Sequence, residues 1–130
     1  MKRVGKPIRK LWDAGAKTDW SSAPLNPFLG MQIAITRQVP DKPEPGTLGK
    51  HNAITLEQVI KSYTINNAYI LHLEAKAGSI EPGKQADMIV VNTNLFDVVN
   101  RGRPDLVGKT RVLKTIFAGK VVYDPLASGN

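Results

Sequence analysis

Few residues of this sequence have the types and spacing that chemistry requires. Its two histidines, His51 and His72, are far apart and form no H-x-H pair. The absence of cysteine excludes a disulfide framework, thiolate catalysis and zinc bound by cysteines. The sequence also shows no Ser-His-Asp set, phosphate-binding loop or paired carboxylates. The residue types alone therefore predict no complete catalytic or metal-binding motif.

Asp19 is the acidic residue with the most suggestive surroundings. It lies in "TDWSSAPLNP", before a tryptophan and a proline-bearing loop that leads into an apolar segment. Its position favours an Asx-turn or a helix cap. His72, beside Leu71 and Leu73, is predicted to be a core or rim histidine, and His51 a solvated loop residue.

Composition limits the class of protein. The chain has 130 residues, of which 42% are hydrophobic and 22% charged, as expected for one globular domain. Its net charge of +7 could attract a polyanion, but no aromatic residues interleave with the basic ones to stack on bases. The basic start lacks an apolar stretch, and no run is long enough to cross a bilayer. We predict a cytoplasmic protein that binds neither nucleic acid nor membrane.

The first half of the sequence carries helix signals. "KPIRKLWDAGAK" predicts a short helix that Gly15 ends. Asn26 as N-cap and Pro27 at the first position start a second helix, "PFLGMQIAITR", which is apolar nearly all round and should be buried. "QVPDKPEPGTLGK" is typical of a long exposed loop.

A capping box begins the clearest helix. Thr55 and Gln58 have the spacing at which each side chain satisfies a free N–H group of the first turn. An apolar stripe follows over "LEQVIKSY". Asn66 and Asn67 are predicted to interrupt the helix, with Asn67 capping a second one through "AYILHL".

The second half carries strand signals. Pro82-Gly83 predicts a type II turn that leads into Met88–Val91, a strand apolar on both faces and so expected to be buried on both. "LFDVVNRGRPDLVG" is interpreted as a loop or edge segment. "VLKTIFAGKVVYD" predicts a hairpin with Gly119 at its turn, and "PLASGN" a frayed tail. Helices first and strands last predict an α+β fold.

Two long stretches resemble a known family. "TLEQVIKSYTINNAYILHLEAKAGSIEPGKQADMIVVNTNLFDV" and the later "VLKTIFAGKVVYD" are similar to the C-terminal portion of the metal-dependent amidohydrolase superfamily. Within it, the resemblance is to the amidohydrolase 3 branch, which contains the N-substituted formamide deformylases. "DWSSAPLNPFLGMQIAITR" is similar to the segment after that branch's last barrel strand. The resemblance covers roughly Lys6 to Asp124.

The resemblance implies a partial amidohydrolase architecture. Family members combine a TIM barrel with an accessory β-sandwich built from both ends of the polypeptide. By that comparison, residues 1–75 are the helical end of the barrel, residues 76–126 are part of the sandwich, and residues 127–130 are a tail. The sandwich strands that would come from the N-terminal end have no counterpart here. We therefore expect the chain to form a homo-oligomer.

The resemblance also implies a role for Asp19. The matching aspartate of the family binds zinc or a similar divalent metal and is the general base toward the attacking water. The family acts on small amides, formamides or cyclic imides. Its histidine ligands have no counterpart in these residues, and "DAGAKTDW" leads to Asp19 without the usual strand. We thus expect the isolated chain to bind no metal and to be inactive. The alternative is a non-catalytic, stand-alone interaction or oligomerisation module.

Overall fold

The fold is known from a computed structural model that describes residues 7–19, 25–40 and 49–127. Within these residues four α-helices precede a small sheet, whose first two strands are separated by a further helix and a 3-10 helix, and this arrangement confirms the α+β prediction. The elements are α1 (Ile8–Asp13), α2 (Pro27–Thr36), a first 3-10 helix (Lys50–Asn52), α3 (Leu56–Tyr63), α4 (Ile65–Ile70), β1 (Met88–Val91), α5 (Leu95–Asn100), a second 3-10 helix (Pro104–Lys109), β2 (Val112–Phe117) and β3 (Lys120–Tyr123).

The predicted helix ends of the first half are confirmed. Gly15 lies just after α1 with a left-handed φ of 79°. The Asn26 side chain accepts a hydrogen bond from the Phe28 amide at 3.0 Å, and Pro27 occupies the first position of α2. Most of the predicted loop before Gly49, and the last residues of the tail, lie outside the described residues.

The capping box of α3 is formed as predicted. The Gln58 amide donates to Thr55 Oγ1 at 3.1 Å, and the Thr55 amide donates to Gln58 Oε1 at 2.9 Å. The apolar stripe that follows turns Leu56 and Val59 into the core, where both are buried. The cap fixes where α3 starts, and the stripe fixes its rotation.

The predicted break at Asn66 and Asn67 is wrong. The helix is interrupted at Thr64, whose φ of −124° and ψ of −99° are not helical. The Thr64 hydroxyl donates to the Ile60 carbonyl at 2.8 Å, a local bond that competes with the backbone ladder. Asn66 and Asn67 instead lie inside α4.

His72 is neither on a helix nor in the core, which corrects a second expectation. It follows α4 at a left-handed φ of 57° and is exposed. The His72 amide donates to the Tyr69 carbonyl, and the Leu73 amide to the Ala68 carbonyl. These two bonds form a Schellman motif, with a histidine where glycine is usual. The chain therefore leaves the helix earlier than the apolar pattern predicts.

The segment after β1 is helical, not a loop or edge strand. The Asn94 side chain accepts a hydrogen bond from the Asp97 amide at 3.1 Å and so caps α5. The second 3-10 helix packs on α2, where the Gly108 amide donates to Gln32 Oε1 at 3.0 Å. Val107 of this 3-10 helix is fully buried and attaches the segment to the core.

The three strands form one antiparallel sheet in the order β1-β2-β3. The β2–β3 hairpin is confirmed: Ala118 and Gly119 both have positive φ, as a type I′ turn requires. The expectation that β1 is buried on both faces is wrong, since Ile89 and Val90 are 49% and 43% exposed. In the described part of the chain, the core packs against β1 only at Val91.

Hydrogen bonds close the ends of the long connection between β1 and β2. The Asn92 amide donates to the Arg111 carbonyl at 3.1 Å, and the Arg111 amide donates to Asn92 Oδ1 at 2.9 Å. At the other end of the sheet, the Ala118 amide donates to Asp87 Oδ1 at 2.7 Å. The hairpin turn is thus attached to the residue that precedes β1.

Two turns lead from α4 to the sheet. The Lys84 amide donates to the Glu81 carbonyl at 3.2 Å across Pro82-Gly83, and Gly83 has a φ of 88°. This confirms the predicted type II turn. Gly78, before it, has a φ of 92° and lies against Ala68 of α4.

One apolar core joins the helices to the second half of the chain. Its buried members are Ile8, Phe28, Met31, Ala34, Ile54, Leu56, Val59 and Val107. The division of the chain after residue 75 stays a prediction. Within the described residues, no helix has the length and apolar character needed to cross a bilayer.

Candidate functional site

Asp19 is exposed and lies in a segment without regular secondary structure, residues 16–19, that follows α1. No strand precedes it in the described residues 7–19, in agreement with the short spacing of "DAGAKTDW". Although its side chain is exposed, the residue before it is held in place by buried polar groups of α3 and α4. Asp19 therefore lies at the end of an anchored segment.

Two buried side chains form the anchor. Asn66 Nδ2 donates to the Thr18 carbonyl oxygen at 3.1 Å, and Ser62 Oγ lies 3.3 Å from Thr18 Oγ1. The Ser62 hydroxyl also donates to the Gln58 carbonyl at 3.1 Å, which uses its single proton. Thr18 is therefore the donor to Ser62. Both the hydroxyl and the carbonyl of Thr18 are bound.

The helix break at Thr64 lies between the two anchoring residues. Ser62 ends the buried face of α3, and Asn66 is in the first turn of α4. Ser62 is fully buried and Asn66 is 6% exposed. Such buried polar groups need hydrogen-bond partners, and Thr18 provides one for each of them.

A cation–π contact reinforces the anchor on the other side of Thr18. Lys17 Nζ lies 3.8 Å from the centre of the Tyr69 ring on α4. This distance is well within the range of an attractive contact at an exposed site. Lys17 and Thr18 are thus both attached to the α3–α4 unit, immediately before Asp19.

The described residues do not by themselves fit a catalytic metal. No group of three or more histidine, aspartate or glutamate side chains lies close enough within them to hold an ion. His51 and His72 are both exposed, His51 in the first 3-10 helix and His72 in the turn after α4. A catalytic zinc takes about three protein ligands, whereas Asp19 offers one carboxylate. That the chain alone binds no metal stays a prediction.

A separate cleft of about 610 Å³ lies between the end of α4 and the sheet. Asp19 is not among the residues that line it. Its walls are mostly apolar and include Leu71, Leu73, Ile80, Met88 and Ile89. Its volume is that of a small-molecule pocket, but it brings together no acid–base pair.

A polar cluster includes Ser79, one of the residues that line the cleft. Lys84 Nζ donates to Ser79 Oγ at 2.6 Å, and Ser79 Oγ donates to Glu81 Oε1 at 2.6 Å. The Ser79 hydrogen bond, followed by the charge of Lys84, holds the pKa of Glu81 below its usual value. This cluster spans the Pro82-Gly83 turn, so we assign it to the rigidity of the turn.

The residues that anchor Asp19 were missed by reasoning from the sequence. Asn66 beside Asn67 favours a helix break, and no sequence motif includes Ser62. One signal was available, because Ser62 and Asn66 are polar residues four positions apart that follow the buried stripe of α3. Polar residues on a buried face indicate a specific hydrogen-bond partner elsewhere in the chain.

The sequence profile of the amidohydrolase family matches residues 1–123. The chain belongs to the amidohydrolase family. The resemblance described above, including its placement in the superfamily, is thereby confirmed.

Individual relatives agree with this assignment. The chain is 28% identical to an imidazolonepropionase of Kosmotoga olearia, a match that covers 88% of the chain and 26% of that protein. It is 27% identical to an N-substituted formamide deformylase of Arthrobacter pascens, over 94% of the chain and 22% of the relative. The chain thus spans about a quarter of the length of these curated relatives.

The fold of this amidohydrolase-family chain also has a crystallographic counterpart. The chain is similar to the crystal structure of an amidohydrolase from Thermotoga maritima, with a TM-score of 0.63 and 25% sequence identity. The match covers 90% of the chain and 25% of that structure. The helices and the three-stranded sheet are therefore arranged as in part of a larger amidohydrolase.

Proposed function

We propose that these residues supply the C-terminal quarter of a metal-dependent hydrolase that cleaves C–N bonds other than peptide bonds. The family match over residues 1–123 carries this proposal. The names of the relatives, a formamide deformylase and an imidazolonepropionase, suggest small amides, formamides or cyclic imides as the substrate class. In this proposal α1–α4 belong to the end of a TIM barrel, and β1–β3 belong to an accessory sandwich.

Asp19 is the residue that we assign to the active site of that hydrolase. Its support is the family resemblance together with the anchor that Ser62 and Asn66 form on Thr18. Because the described residues hold one candidate ligand, the other metal ligands would come from outside them. We derive no catalytic step through the metal. The chain by itself is proposed to be inactive.

An assay with a matched control tests this assignment. The purified 130-residue protein, given zinc, cobalt or manganese, should not hydrolyse an N-substituted formamide. Sequencing the gene upstream of the first codon should reveal, in the same or a neighbouring reading frame, a region that encodes an H-x-H motif. Metal-dependent turnover that disappears in Asp19→Ala but survives in Asp13→Ala would contradict the proposed inactivity. The lack of any such upstream region would contradict the proposed hydrolase.

The exposed sheet favours a second candidate, a non-catalytic module that forms homo-oligomers. All four residues of β3 are exposed, Val121 and Val122 by 55% and 60%, and Phe117 of β2 is 64% exposed. An open strand edge can extend a sheet across a two-fold axis. Burial of a few hundred Å² of apolar surface favours association by several kcal/mol at about 25 cal/mol per Å².

Sedimentation equilibrium distinguishes this second candidate. We expect a dimer or larger species instead of the 14.2 kDa monomer. Val122→Lys should restore the monomer, because a charge on an edge strand opposes strand pairing. Val39→Lys is the matched control, since Val39 is 50% exposed and lies far from the sheet in the sequence. A monomeric parent protein, or equal effects of the two lysines, would exclude the candidate.

A further inference from the structure

We infer that Asn66 is a positioning residue for Asp19, acting through Thr18 together with Ser62. This inference rests on the proposed function only in taking Asp19 as an active-site residue. The physical claim is that the buried Asn66 amide fixes the backbone immediately before Asp19 and so determines where its carboxylate lies.

The geometry of the contact supports a positioning role. Asn66 Nδ2 reaches the Thr18 carbonyl at 3.1 Å from a position 48 residues later in the chain. That carbonyl belongs to the peptide bond whose nitrogen is that of Asp19. A hydrogen bond at this oxygen restrains the plane of that peptide, and hence the direction in which the Asp19 side chain leaves the backbone.

The second bond restrains the remaining freedom of Thr18. Its hydroxyl donates to Ser62 Oγ, which is fully buried and itself held by the Gln58 carbonyl. A single hydrogen bond would still allow the segment to pivot about one point. Two bonds, one to the backbone and one to the side chain of Thr18, remove that motion.

The burial of these groups is not explained by stability alone. Apolar residues at positions 62 and 66 would pack in the core without needing hydrogen-bond partners, and replacing hydrogen-bonded polar groups by apolar groups of the same shape can be nearly neutral. An apolar pair could not hold one particular peptide of a segment that lacks regular secondary structure. The two polar side chains therefore specify a position, and the position they specify is next to Asp19.

A spin label tests the inference directly. The chain has no cysteine, so Asp19→Cys provides a single thiol for a nitroxide. In an otherwise unchanged chain, the label should give a slow spectral component from the anchored segment. Asn66→Ala should abolish that component. Asn67→Ala, one residue further along α4, should retain it. A label at Lys120→Cys on β3 should be unaffected by either change, because α4 and β3 are separate elements.

The outcomes separate positioning from a general contribution to the fold. Loss of the slow component at position 19 with an unchanged spectrum at position 120 supports the inference. An unchanged spectrum at position 19, or equal loosening at both positions, overturns it. If Asn66→Ala does not fold, Thr18→Val removes the bond to Ser62 from the segment side, and it should reduce the same component. These spectra do not depend on catalysis, so the proposed hydrolase function can fail while the positioning result stands.

Discussion

Replacing Gly78 by alanine should destabilise the protein far more than replacing Gly83, although the two glycines have similar positive φ values. Their φ values are 92° and 88°. A Cβ at position 78 would lie 2.7 Å from Ala68 Cβ and 2.9 Å from Ile65 Cα, whereas nothing lies within 4 Å of a Cβ at position 83. Carbon atoms in contact are ordinarily about 3.5–4.0 Å apart. The Gly78 segment and α4 must therefore move apart to admit the methyl group.

The difference in magnitude follows from these distances. Both substitutions place an L-residue in the left-handed region, which costs roughly 1 kcal/mol. Overpacking adds about 2 kcal/mol at position 78 alone. We expect the free energy of unfolding to fall by about 1 kcal/mol for Gly83→Ala and about 3 kcal/mol for Gly78→Ala. At about 4 °C per kcal/mol for a domain of this size, the Tm should fall by about 4 °C and about 12 °C.

Urea unfolding followed by circular dichroism measures both losses. The double variant Gly78→Ala/Ala68→Gly adds a sharper test, because it removes the atom nearest to the new methyl group. Ala68→Gly alone should cost about 1 kcal/mol through its lower helix propensity. The loss of unfolding free energy in the double variant should be about 1 kcal/mol smaller than the sum of the two single losses. Equal losses at the two glycines, or strict additivity in the double variant, would refute the reasoning from close approach.

Two further predictions concern the turn after α4 and the sheet. His72→Gly should raise the free energy of unfolding by up to about 1 kcal/mol, since His72 occupies the left-handed position of a Schellman motif. His51 does not have a positive φ, so the control His51→Gly should not stabilise the protein. Lys114 donates to Asp124 at 2.8 Å and holds the pKa of that carboxyl below its ordinary 3.8. The pair therefore stabilises the fold above that value, and the contribution disappears as the pH falls through the lower folded-state pKa. In Lys114→Met, the free energy of unfolding, measured by urea titration at several pH values, should fall less on acidification than in the parent protein. An equal reduction of this fall in Lys120→Met would contradict the assignment.

Local signals account for the parts of the fold that the sequence predicts. The capping box of Thr55 and Gln58 and the Asn26-Pro27 start each act within one helical turn, so no distant contact can alter them. The type I′ turn at Gly119 likewise depends on two adjacent residues. α5 also has such a signal, the Asn94 cap on the Asp97 amide, which the interpretation of the segment as a loop or edge did not use.

The candidate site was only partly predictable, because its anchor joins residues distant in the sequence. Thr18 meets Ser62 and Asn66 across 44 and 48 residues. No pattern around Asp19 specifies those partners, and paired asparagines at positions 66 and 67 are as typical of a helix cap as of a buried hydrogen bond. The exposure of Ile89 and Val90 was unpredictable for a related reason. An unbroken apolar run indicates that both faces of a strand need cover, but it does not show whether cover is present.

Asn92 and Arg111 are joined by two hydrogen bonds, so the chain between them can change in length without separating them. They join the two ends of this connection to each other where β1 ends and β2 begins, so these ends stay together whatever the connection contains. The part of this connection that packs on the core must be kept, because Val107 is buried there. The bend at Gly102 is exposed, and a Cβ there would meet nothing within 4 Å. Doubling a flexible loop adds only about 0.6 kcal/mol of closure entropy. The chain could therefore be lengthened at that bend, or a second domain inserted there, while β1 and β2 remain paired.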